Sequence, residues 1–320
     1  MRNLLFLIFL SFLISCKPET HQETRIQEDV TYLASEELEG RQTGTRGEKK
    51  AAKYIQNRFK ELGLAPKGTQ GFLQPFTFMP KTNPHGEVKF DVNGDGTITG
   101  NNVLGFIDNN AENTVIIGAH YDHLGIVKAV EGDSIANGAD DDASGTTAVI
   151  ELAKYYKKLN NNERTLIFVA FTAEEVGGFG SKYFSSKLNP DDVVAMFNIE
   201  MIGKESKFGK NNAFITGYER SDFGEILQRN LEGTDFKFYP DPYPSQNLFY
   251  RSDNATLAAL GVPAHTISTD QIDIDKFYHT VNDELETLDV SNITATIKAI
   301  ALSSRSIVSG KDAPKRIPKL

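Results

Sequence analysis

The chain of 320 residues contains one cysteine, Cys16, so no disulfide can form within it. Basic residues are in the minority, 34 Lys and Arg against 43 Asp and Glu, for a formal net charge of −9. That argues against a nucleic-acid partner, which usually shows as a basic face. Internal repeats and long low-complexity segments are also missing, and after the first sixteen residues no apolar run is long enough to cross a bilayer. What is present is 39% apolar content, enough for a sizeable core in one large α/β domain or two small ones, of which one is the better reading. The acidic balance leaves carboxylate-rich sites for hard cations open.

The opening MRNLLFLIFLSFLISC has one charge, Arg2, and an apolar run from Leu4 to Ile14. It is too short for a permanent span and reads as a signal peptide over residues 1–15. LISC resembles a bacterial lipobox, which implies that Cys16 is acylated and becomes the new N-terminus. Residues 16–24 then serve as a polar tether holding the body, residues 25–312, to a membrane at the periplasmic face or cell surface. Residues 313–320, basic and proline-containing, read as a loose tail.

Along the body, Ile26, Val30 and Leu33 recur with helical spacing, as do Ala51, Ile55, Phe59 and Leu62 before Gly63. The glycine-rich GRQTGTRG between them follows no strand and reads as a plain turn. DVNGDGTI, Asp91 to Ile98, opens like a calcium loop but has Asn102 where a bidentate Glu belongs, so a β-hairpin is the better reading. Unalternated apolar runs, TVIIGA, TLIFVAF, VVAMFNI and AHTIS, read as strands buried on both faces of a largely parallel sheet. Helices fall between them at Val149–Tyr156 and after the last at Ile293–Val308. The stretch 203–250, rich in Tyr, Pro, Asn and Asp, is expected to be partly irregular and able to form a lid.

In such sheets ligands bind beyond the carboxyl ends of the strands. After TVIIGA come His120 and Asp122; after TLIFVAF, Glu174 and Glu175; after VVAMFNI, Glu200; and past AHTIS, His279. GADDDASG adds three consecutive aspartates before a helix. So many like charges at one sheet edge call for a cation, and imidazole with carboxylate suits zinc. Taken singly, each histidine also fits an ordinary buried or exposed role, and an Asp run before a helix fits a solvated N-cap.

GAHYDHLG, NGADDDASG, FTAEEVGGFGS, NIEMIG and YHTVNDELETLD, in this order, resemble the M28 family of zinc metallopeptidases. The similarity extends to LASEELEGRQTGTRG and to SDN…GVPA. It implies a three-layer α/β fold, a central mixed, mostly parallel sheet with helices on both faces, and two zinc ions per chain. His120 and Glu200 would hold one ion, His279 and Glu175 the other, and Asp141 would bridge them across a cis Asp141–Asp142 bond. Asp122 would orient His120 through its carboxylate, Glu174 would be the general base, and Tyr278 would hydrogen-bond the substrate carbonyl. Two departures concern Glu200, an Asp in the best-known members, and Asn254, often a His.

The implied reaction is peptide hydrolysis by a water acidified by the metals, with Glu174 carrying its proton to the leaving amine. An aminopeptidase is preferred, since an acidic site attracts an α-ammonium group. The alternatives are a carboxypeptidase or dipeptidase, for which Arg251 is the obvious cation near a motif, a glutaminyl-cyclase-like acyltransferase, or an inactive peptide-binding lipoprotein.

Overall fold

The computed structural model describes residues 18–79 and 93–320; Cys16, the signal segment and Asp91 lie outside them. In chain order the strands are β1 (Ala65–Pro66), β2 (Leu73–Phe78), β3 (Ile98–Ile107), β4 (Thr114–His120), β5 (Gly125–Val130), β6 (Asp133–Ala136), β7 (Thr165–Phe171), β8 (Val193–Ile199), β9 (Asn212–Ile215), β10 (Lys237–Pro240) and β11 (Ala264–Ser268). The helices are α1 (Pro18–Leu33), α2 (Arg46–Glu61), α3 (Gly145–Leu159), α4 (Phe179–Ser185), α5 (Phe223–Arg229), α6 (Asn254–Ala259), α7 (Val290–Ser303) and α8 (Arg305–Val308).

Nine strands form one sheet in the order β1-β3-β7-β4-β8-β11-β9-β10, with β2 paired to β3. The four strands read from unalternated apolar runs, β7, β4, β8 and β11, are its parallel centre. β3 and β9 run antiparallel to them on either side, so the sheet is mixed. Both faces are covered. Val115, Ile117 and Ala119 of β4 pack with Ile55 and Phe59 of α2, Leu152 of α3 and Ile297 of α7. Ile116, Val169 and Met196 face the opposite way, onto Phe184 of α4 and Leu257 of α6. Each of the larger side chains contributes about 1.5–3 kcal/mol by leaving water, which is why alternation is missing from these strands.

Register sets up the site. His120 lies beside Phe171 and Ile199 beside Ile267, so the chain leaves β4, β7, β8 and β11 at one edge.

α1 begins at Pro18, so residues 18–24 of the tether segment are helical. Two expectations are corrected. Residues 203–250 are built into the body and not laid over it: they supply β9, α5 and β10 and bury Phe214, Phe223, Leu227, Phe236 and Phe238, while Leu248 and Tyr250 reach the walls of the site. The tail is not loose, because Ile317 is buried in the second core and its N–H bonds Gly261 O, while the Leu320 N–H bonds Ala259 O. In the calcium-like segment, the Asn93 N–H bonds Thr97 O, and the Asp95 carboxylate accepts from the Thr97 N–H and hydroxyl. That carboxylate is used by the turn itself.

Candidate metal centre

GADDDASG turns sharply from β6 into α3, with Gly138 in the left-handed region (φ 56°) and a cis Asp141–Asp142 peptide bond. All three aspartates are buried, yet each does something different. Asp140 accepts from the Gly203 N–H at 2.7 Å and lies 3.3 Å from Lys204 Nζ. Asp142 Oδ1 accepts from the N–H groups of Gly145 and Met201, both at 3.0 Å. A Cβ at position 145 would sit 2.4 Å from that oxygen and from Ile199 O, so only glycine fits. Asp141 alone is turned into the cleft: its Oδ1 is 3.1 Å from His120 Nε2 and its Oδ2 is 3.2 Å from His279 Nε2.

Glu175 completes the group, with Oε2 at 3.1 Å from His279 Nε2. Separations of 3.1–3.2 Å between these donors match the edge of a tetrahedron of ligands about 2.0 Å from a central zinc, roughly 3.3 Å. Donor atoms of His120, Asp141 and Glu175 all lie within 4.8 Å of one another. His120 Nε2 is buried and, apart from the approach of Asp141, has no hydrogen-bond partner among the described residues. Glu200 lines the same cleft as Asp141, Glu174, Glu175, Tyr278 and His279. The donor set therefore fits zinc, and Asp141 offers one oxygen to each side.

The electrostatics agree. Burial opposes a charged imidazole, yet Glu175 and Asp141 hold His279 up at about 10, and Asp141, Asp142 and Glu174 push His120 well above its ordinary value. Against its own burial, Asp141 is held well below the carboxylate range by His120 and His279. Such a site requires positive charge, which metal can supply in place of protons. Burial, with Glu200, Glu175 and Asp253 nearby, pushes Glu174 upward. Its backbone N–H is held by Asp122 Oδ1 at 3.2 Å. Tyr278 stacks on the His279 ring, centroids 3.8 Å apart, and burial followed by the charges of Asp141 and Glu175 raises its phenol.

Asp122 is a correction. His120 Nδ1 bonds the backbone carbonyl of Asp122 at 3.0 Å, while the Asp122 carboxylate stands off at 3.8 Å. That carboxylate instead takes the Thr43 hydroxyl and the Glu174 N–H, so it orients the Glu174 backbone. Asn254 is a buried bridge, donating to Phe249 O and Ala264 O and accepting from the Thr266 hydroxyl. Arg251 is exposed at the cleft and pairs with no carboxylate among the described residues; its Nη1 reaches only Gln246 Oε1 at 3.4 Å.

Three further residues serve the site without having been singled out from sequence. His123 Nδ1 lies 2.7 Å from Glu175 Oε1, and the only signal for it was a second histidine in HYDHLG. The Asp283 carboxylate accepts from the N–H groups of Asp140 and Asp141 at 3.0–3.1 Å, holding the aspartate turn. Arg41, in the turn GRQTGTRG, is fully buried and donates to the carbonyls of Leu33, Tyr121, Asn137 and Gly138. It ties together the loops that carry His120 and Asp141.

The model of Peptidase family M28 matches residues 102–303, more than half of the chain. A probable leucine aminopeptidase of Trichophyton verrucosum is 28% identical over 201 residues, 60% of this chain and 53% of that protein. The chain thus spans about half the length of the curated relatives it matches. Among solved structures, a zinc aminopeptidase from Bacillus subtilis superposes with a TM-score of 0.70 at 17% identity, covering 89% of this chain and 95% of that one. The Porphyromonas gingivalis glutaminyl cyclase gives 0.68 at 16% identity, covering 89% and 98%. At these identities the structures share the fold, and activity has to be argued from the site.

Proposed function

Since the chain belongs to peptidase family M28, we propose that it is a zinc-dependent aminopeptidase with two metal positions, His120 and Glu200 on one side, His279 and Glu175 on the other, and Asp141 between. The observation that carries this reading is the Asp141 carboxylate, one oxygen toward His120 and the other toward His279. When bound, the zinc ions supply Lewis acidity, lowering the pKa of water and polarising the scissile carbonyl. Glu174 accepts the proton of the attacking water and passes it to the leaving amine, held in place by the Asp122 carboxylate on its N–H. Tyr278, whose pKa is raised by burial, stays protonated and donates to the carbonyl oxygen as charge develops on it.

The cleft, about 510 Å³, is of a size that accommodates a short peptide. Its carboxylates favour an α-ammonium group, which supports trimming from the N-terminus. The fungal relative's description as a probable leucine aminopeptidase supports the same end. Location is part of the proposal: export, acylation of Cys16 and attachment to a membrane.

The test is a pair of blocked peptides with the zinc-loaded protein. N-terminal acetylation is expected to stop cleavage and C-terminal amidation to leave it intact; the reverse would make the enzyme a carboxypeptidase. Metal analysis is expected to give about two zinc ions per chain. Release of pyroglutamyl peptides in place of free amino acids would replace hydrolysis by cyclisation.

A further inference from the structure

A small pocket of about 50 Å³ adjoins the cleft that carries the candidate metal ligands, sharing Glu200, Arg251, Ser252 and Tyr278 with it. Its walls include Met201, Phe214, Leu248 and Ile272, apolar surfaces suited to the methylene stem of one side chain. It is too small to admit a continuing peptide. Arg251 lines both spaces. Its backbone is fixed, the N–H bonding Leu248 O at 3.0 Å after a short turn, while its guanidinium makes one long contact to Gln246.

The other cations nearby are already engaged. Lys182 lines only the larger cleft and donates to Gly177 O at 2.7 Å. Asp270 also lines the pocket, with one carboxylate oxygen within 4.8 Å of one from Asp140 and one from Asp275; burial and those like charges push its carboxyl up to about 9, so it is protonated near neutral pH and does not repel an incoming carboxylate. Lys204 pairs with Asp275 at 2.6 Å and Asp140 at 3.3 Å. Inside the pocket the Thr216 hydroxyl accepts from the Thr266 N–H at 3.2 Å, leaving its own proton available to an incoming oxygen. A planar guanidinium with no carboxylate partner, carried on a fixed backbone at the mouth of a slot with apolar walls, matches a carboxylate on a short stem.

We propose that Arg251 is a specificity-determining residue that binds the side-chain carboxylate of the substrate's first residue, so that peptides beginning with Glu or Asp are preferred. This rests on the aminopeptidase reading above.

The experiment measures kcat/KM of the zinc-loaded protein on tripeptide amides that differ only in the first residue, Glu, Gln, Leu or Lys. C-terminal amidation removes every other carboxylate. Wild type is expected to favour Glu over Gln by at least about tenfold. Arg251→Ala is expected to lower kcat/KM for Glu by about 10- to 100-fold, the loss of one charge-assisted contact, with Leu changed less than about threefold. Arg251→Glu is expected to shift preference to Lys. Metal content and circular dichroism of each variant establish that it is folded and loaded.

Equal rates on Glu and Gln in wild type, or an unchanged Glu to Leu ratio in Arg251→Ala, would overturn the inference while aminopeptidase activity stood. So would an Arg251→Ala defect confined to dipeptides with a free C-terminus, whatever their first residue. Failure of wild type to cleave any of the amides would remove the aminopeptidase reading, and this inference with it.

Discussion

Glu174 and Glu175 are neighbours of the same type, and only their surroundings separate them. Glu175 is fixed from both sides, by His123 and by His279, whereas Glu174 opens to the cleft with only its backbone N–H held. Glu174→Gln is therefore expected to keep its zinc and lose turnover by roughly two to four orders of magnitude. Glu175→Gln is expected to weaken or lose one ion, because a neutral amide is a poor ligand. Metal analysis beside a rate measurement distinguishes them, and the opposite pattern would exchange the two roles. His123 acts through Glu175, directing one oxygen away so that the other faces His279. His123→Ala should lower zinc affinity by about 10- to 100-fold, measured by competition with a chelator, and His123→Gln should recover part of it. An unchanged affinity in His123→Ala would show that the 2.7 Å contact does not orient the ligand.

Helix α2 carries a carboxylic acid into the core. Glu48 is fully buried and accepts from the Tyr121 hydroxyl at 2.6 Å and the Asn101 N–H at 3.2 Å. Burial pushes it from 4.5 up to about 7, partly offset by those bonds. A raised folded-state value means that its contribution to stability is complete below pH 4.5 and is lost as pH rises through 7. Glu48→Gln keeps the shape without the charge, so it should be more stable than wild type by roughly 1–3 kcal/mol at pH 8, with the advantage gone below pH 4.5. Urea unfolding at both pH values measures this; an advantage that does not depend on pH would refute it. The C-terminal segment makes a simpler case. Ending the chain after Asp312 removes Ile317 from the second core and exposes part of the α4 and α6 side of the sheet. A loss of about 1.5–3 kcal/mol is expected, read by the same unfolding curves, and no change would mean that the docked tail adds nothing.

As a whole molecule the protein is an acidic α/β body whose site opens along one sheet edge. Among the described residues no helix is long and apolar enough to cross a membrane, so attachment as proposed depends on the N-terminal segment and Cys16. Mature wild type is expected to start at Cys16, to carry acyl chains detectable by mass spectrometry, and to partition into detergent. Cys16→Ala should change processing and shift the protein to the aqueous phase while leaving peptide cleavage by the body intact. Unmodified wild-type protein in the soluble fraction would sink the anchoring proposal.

Local pattern was enough to place the central strands, because burial on both faces demands an unbroken apolar run and Thr114–His120, Thr165–Phe171 and Val193–Ile199 each carry one. It was also enough to point to the cleft, since residues following adjacent parallel strands must emerge at the same edge. Which atoms meet there could not be read that way. That Asp122 holds His120 by its carbonyl and Glu174 by its carboxylate depends on χ angles set by Thr43, 79 residues away in the chain. That residues 203–250 join the sheet depends on β9 finding β11, a pairing between short strands whose own sequences are irregular. Arg41 read as part of a plain turn because nothing near it in sequence announces the distant carbonyls of Tyr121, Asn137 and Gly138 that it binds. Periodicity is a property of neighbours along the chain, whereas side-chain partnerships at a site are properties of neighbours in space, and only packing brings the two together.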